Sequence, residues 1–91
     1  MESNLAGGWT PYSTKISSDA QKAFDEAFKG FAGVHYTPLV VASQVVKGIN
    51  YRFFCNAQII YPNAPHHGAL VQIYKPLSGP AILSAPIKPV D

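Results

Sequence analysis

The chain reads as a small α+β domain in which one amphipathic helix lies across an antiparallel sheet. Three observations carry that expectation. Only the stretch from Ser17 to Phe31 repeats apolar residues at three- and four-residue steps. Nearly everything after Val34 alternates with a period of two or runs in β-branched residues, broken by turns rich in Gly, Pro and Asn. The length, 91 residues, allows one core and no second domain. A sheet with one polar face and a single helix to hand covers its other face with that helix. The expected domain spans residues 1–91, with 1–8 as a flexible arm.

Residues 1–8 are small and polar apart from Leu5, and they end in the conformationally free pair Gly7-Gly8. Trp9 to Ile16 mixes aromatic and β-favouring residues around Pro11. That pattern predicts a short extended segment at a sheet edge, because proline has no N–H to give to a ladder. Ser17-Ser18-Asp19-Ala20-Gln21 starts the helix: either serine can cap, Ser18 and Gln21 have the spacing of a capping box, and Asp19 suits the positive end of the dipole. Ala20, Phe24, Ala27, Phe28 and Phe31 form one stripe, while Gln21, Lys22, Asp25, Glu26 and Lys29 face away. With one helix in the domain, the stripe is expected to be core rather than a partner-binding face, since no other element can bury so much aromatic area. Gly30 and Gly33 offer left-handed stops.

His35 to Lys47 is a long extended run in which Pro38 suggests a bulge or bend. Gln44-Val45-Val46-Lys47-Gly48, continuing into Ile49 to Cys55, reads as two antiparallel strands with a hairpin tip near Lys47 to Asn50. Tyr51, Phe53, Cys55, Ala57, Ile59 and Tyr61 are expected to face the helix, because the alternate set, Arg52, Phe54, Asn56, Gln58 and Ile60, carries the polar residues. Pro62 to Gly68 is loop by composition. Ala69 to Lys75 is a strand with Val71 and Ile73 inward, Pro76 to Pro80 a turn, and Ala81 to Ile87 a last strand weakened by Pro86 and Pro89.

Composition narrows the function classes. Hydrophobic residues make up 47% of the chain and charged residues 13%, against roughly 25% charged in an average soluble domain. A net charge of +2 from scattered Lys and Arg gives no electrostatic footprint for nucleic acid. The N-terminus shows no basic leader, and no window approaches the ~20 apolar residues that span a bilayer. The single Cys55 cannot form an intramolecular disulfide. These features predict a cytoplasmic protein without a membrane partner. His66-His67, His35 and Cys55 lack zinc-motif spacing and Cys55 falls on the core face, so neither a metal nor another cofactor is expected. No setting that would lower the Cys55 pKa is legible, and no acid, base or nucleophile constellation points to an enzyme.

Three stretches carry a family resemblance. Gln44-Val45-Val46-Lys47-Gly48 resembles the Gln-Val-Val-Ala-Gly loop of the cystatins at four positions of five, and Asn50-Tyr51 continues the pattern of the intracellular stefin branch. Val71-Gln72-Ile73-Tyr74-Lys75-Pro76-Leu77-Ser78-Gly79 resembles the stefin strand and turn, with Ser78 where stefins usually carry proline. Gly7-Gly8 resembles the stefins' N-terminal glycine pair. The resemblance implies a cystatin-like fold, one amphipathic helix across a four- to five-stranded antiparallel sheet. It also implies reversible, competitive, non-covalent inhibition of papain-like cysteine proteases by a wedge of arm and two hairpin loops.

On that resemblance Leu5 and Ala6, ahead of Gly7 and Gly8, would lie in the non-primed subsites. Gln44, Val45, Val46, Lys47 and Gly48 would enter the cleft, and Pro76 and Leu77 would rest on the primed side. The chain departs from the family at Lys47, which replaces Ala, at the shifted Pro76, and in the longer, Pro-rich stretch from Pro62 to Gly68. The competing expectation is a cystatin-fold interaction module that binds a protein through Phe54, Ile60 and Tyr74 on the sheet face, without protease inhibition. The β-branched Val45-Val46 beside a tight tip further suggests a hinge, hence a monomer able to form a domain-swapped dimer.

Overall fold

A computed structural model describes residues 7–90; the expected contacts of Leu5 and Ala6 lie outside the described residues. It contains α1 (Ser18–Ala27), β1 (Val34–Val46), β2 (Gly48–Ile59), β3 (His66–Lys75), β4 (Ile82–Leu83) and β5 (Lys88–Val90). The strands form one antiparallel five-stranded sheet in the order β1-β2-β3-β4, with β5 also on β3, and α1 packs against one face. The α+β arrangement is the one expected.

Ser17 caps α1, its Oγ accepting from the Ala20 N–H at 3.1 Å. The Ser18/Gln21 capping box does not form: Ser18 is already helical, and the Gln21 amide donates instead to Asp25 Oδ1 at 3.0 Å. Ala20, Ala23 and Phe24 are buried. The Phe24 ring meets Phe53 edge-on at 5.0 Å, and Phe28 packs beside Phe24 at 4.6 Å and Tyr36 at 5.0 Å. Phe31 does not belong to the buried stripe; it is 51% exposed. The helix stops at Ala27, and Gly30 turns at φ +87°, so Phe31 leaves the helical phase that the spacing assumed.

The core lies between α1 and the middle of the sheet, where Phe53, Cys55, Val71 and Ile73 are fully buried. Tyr51, Phe53, Cys55 and Ala57 face the helix as expected, whereas Ile59 and Tyr61 are exposed. Ten helical residues span about 15 Å, while the twelve of β2 span about 40 Å. The far end of β2 therefore has no helix above it.

The β1–β2 ladder shifts register between Pro38 and Val40, the irregularity that the proline suggested. His66, His67 and Gly68 belong to β3 rather than to a loop, pairing with Gln58, Ala57 and Asn56. Asn56 Nδ2 lies 2.8 Å from His66 Nδ1, and the Phe54 ring occupies the space over Gly68, where a Cβ would come within 2.8 Å of it. The expected last strand, Ala81 to Ile87, is split. β4 pairs with Ile73 and Tyr74, β5 pairs with Gly68 to Leu70, and Pro86 lies in the gap between them. Trp9 to Ile16 runs beside β1 through two isolated bridges, Trp9 with Gln44 and Ser13 with Val41, rather than as a strand; Pro11 sits between the bridges. Among the described residues no helix is long and apolar enough to cross a membrane.

Candidate functional site: one end of the sheet

The β1–β2 hairpin turns within a single residue, for Val46 partners Gly48 and only Lys47 stands between. Glycine is required there on two counts. Its φ is +102°, in the left-handed region, and a Cβ would fall on the Lys75 carbonyl oxygen and 3.1 Å from Pro76 Cα. The backbone at the end of β3 is thus seated directly on the first hairpin. The Tyr74 hydroxyl donates to the Lys47 carbonyl and ties the same two segments together.

The following loop, Pro76 to Pro80, is held from the helix side. Lys75 Nζ donates to the Gly79 carbonyl and lies 3.8 Å from Glu26 Oε1, which also accepts from the Ala81 N–H at 3.1 Å. The Ala81 N–H and, with it, the Lys75 ammonium hold the Glu26 carboxyl below its ordinary value. Leu77 projects from the loop, 82% exposed.

The N-terminal segment joins this end through Gln44. Its Nε2 donates to the Gly7 carbonyl at 2.7 Å, its Oε1 accepts from Asn50 Nδ2 at 2.8 Å, and the Gly7 N–H reaches the Val45 carbonyl at 3.2 Å. Next along, the Arg52 guanidinium stacks 4.1 Å from the Trp9 ring centroid, and Thr10 N–H donates to the Ser43 carbonyl at 2.8 Å. Of the residues expected at this site, Gly7, Gly8, Gln44, Val45, Val46, Lys47, Gly48, Pro76 and Leu77 lie at one end of the sheet. Val45, Val46 and Leu77 are exposed there.

Sequence reasoning missed Asn50, Arg52, Tyr74, Lys75 and Glu26 as supports of this end. Asn50 was within reach: once the tip is centred on Lys47, it stands directly across from Gln44. The bond from Glu26 to Ala81 joins residues 55 positions apart, and no local pattern signals it.

Elsewhere, the Cys55 thiol is fully buried, and burial pushes it up to about 12. That removes the thiolate a nucleophile needs. Among the described residues no group of three or more His, Cys, Asp or Glu side chains could hold a metal ion. On the face away from α1, Tyr12, Val40, Phe54 and Leu70 line a shallow apolar hollow of about 330 Å³.

Fold and site together define a small α+β domain whose distinctive surface is one end built from an N-terminal segment and two loops. No family model matches the chain, and neither the curated proteins nor the solved structures yield a match to it.

Proposed function

We propose that this protein is a cystatin-like, stefin-type inhibitor that reversibly and competitively blocks papain-like cysteine proteases without covalent chemistry. The observation that carries the reading is the convergence of the Gly7-Gly8 segment, the Gln44 to Gly48 tip and the Pro76-Leu77 loop at one end of the sheet, joined by Gln44, Tyr74 and the seat at Gly48. Three segments of one rigid end suit a narrow cleft, because little conformational freedom remains to be lost on docking. Val45, Val46 and Leu77 supply apolar contact, and Leu5 and Ala6 extend the reading along the non-primed side. No nucleophile takes part on the inhibitor's side, in keeping with reversible binding. A chain whose one cysteine is a free, buried thiol also suits the reducing cytoplasm. The deciding experiment is a titration of several papain-like proteases with the protein from micromolar concentration downward. Competitive inhibition with the chain left intact supports the proposal; full protease activity at micromolar protein, or cleavage between Gln44 and Gly48, refutes it.

The apolar hollow at Tyr12, Val40, Phe54 and Leu70 favours a second reading, an interaction module that works through the helix-free sheet face. Phe54→Ser separates the two. It leaves protease inhibition intact in the first reading and abolishes partner binding in the second.

A further inference from the structure

The Gln44 amide is bonded at both ends within its own chain, and the acceptor-only Gly7 carbonyl sets its direction while Asn50 holds the other end. The Gly7 carbonyl can only accept, so it takes Gln44 Nε2, at 2.7 Å, and Asn50 locks that orientation by donating its Nδ2 to the Oε1 turned toward β2, at 2.8 Å. Gly7 is then held on both sides, since its N–H also reaches the Val45 carbonyl at 3.2 Å. Without those bonds a glycine pair with Gly7 at φ +88° would let the chain ahead of it swing freely. From Trp9 onward the segment has independent anchors, the stack on Arg52 and the Thr10–Ser43 bond, so the Gln44 relay governs only what lies ahead of Trp9.

We propose that Asn50 is a positioning residue that fixes where the N-terminal arm leaves the sheet, acting through Gln44 on Gly7. The proposal rests on the inhibitor reading above and names a control on the same site. Gly7 and the first loop thereby meet the protease as one preformed piece, with one amide hydrogen of Gln44 committed to the Gly7 carbonyl.

Asn50→Asp tests this in the intact chain. At pH 7 a carboxylate only accepts, so the Gln44 amide turns its Nε2 to Asp and sets Oε1 against the Gly7 carbonyl, two acceptors with no bond between them. Loss of one neutral hydrogen bond should raise amide hydrogen exchange at Gly7 about three- to tenfold, with β2 and the Ser13–Val41 bridge unchanged. Dissociation from a papain-like protease should speed up by a similar factor. In a Gln44→Ala background the same substitution should add nothing to either readout. Unchanged exchange at Gly7, or an effect that persists in the Gln44→Ala background, overturns the proposal. If the wild type inhibits no papain-like protease, the inhibitor reading falls by itself, and exchange at Gly7 alone still decides whether Asn50 positions the arm.

Discussion

Gly48→Ala should uncouple the two loops, and its size follows from two separable terms. The first is backbone strain: holding a non-glycine residue at φ +102° costs about 1–3 kcal/mol. The second is steric. The new Cβ would collide with the Lys75 carbonyl oxygen and crowd Pro76 Cα, both backbone, so the end of β3 and the hairpin tip must move apart. Separation also breaks the bond from the Tyr74 hydroxyl to the Lys47 carbonyl, a net loss of about 1 kcal/mol. Together these give about 2–4 kcal/mol, a drop in melting temperature on the order of 10–25 °C for a domain of this size. Gly30→Ala is the internal control, since Gly30 has φ +87° but nothing within 4 Å of an added Cβ. It should lose only the strain term. The assay is thermal and urea unfolding of both variants beside the wild type. Equal losses would show that β3 does not rest on the tip, and the rigid two-loop end would have to be given up.

Lys47→Ala should tighten inhibition of a generic papain-like protease by up to about 2 kcal/mol, the side-chain entropy a lysine loses when confined in a cleft; a looser complex with one protease only, and less so at high salt, would instead reveal an acidic partner there. Glu26 has its folded pKa lowered by the Ala81 N–H and Lys75, so its contribution is present above the ordinary carboxylate value and lost as pH falls through the lowered one. Melting curves of Glu26→Gln and wild type should therefore differ at pH 7 and converge as pH falls below the ordinary carboxylate value; a gap that stays constant with pH refutes this role of Glu26. Cys55, buried and raised to about 12, should resist thiol reagents at pH 8 until the chain unfolds, and fast labelling of native protein would contradict its place in the core. Incubation near the melting midpoint should yield a domain-swapped dimer through Val45-Val46, and monomer alone on size exclusion would count against that hinge.

The parts of the fold legible in the sequence were those set by local periodicity. Phe24, Phe53, Cys55, Val71 and Ile73 announced their burial through spacing alone, and Pro38 announced the register shift. What failed depended on where elements stop. Phe31, Ile59 and Tyr61 continue an apolar pattern past the point at which α1 can cover it, so pattern and burial part company there. His66 and His67 carry loop-like composition yet pair as strand, because ladder bonds come from the backbone and β2 was there to pair with. At the candidate site the two turns themselves were readable from their Gly- and Pro-containing stretches. Their supports were not, since Glu26 with Ala81 and Arg52 with Trp9 meet only through the tertiary fold.

The segment from Gly7 to Ser13 has a second consequence, for solubility. It satisfies outward backbone groups of β1 at Val41, Ser43 and Val45, while the other half of that strand is interrupted at Pro38. An uncovered run through Val40-Val41-Ala42 would be a ready template for a strand of another molecule. With only 13% of residues charged, the surface offers little repulsion to stop such growth. Shortening the chain past Ser13 would strip the cover from β1 and invite fibre-like stacking. The same few residues thus guard the edge of β1 along their length, while Gly7 ties their start to Gln44.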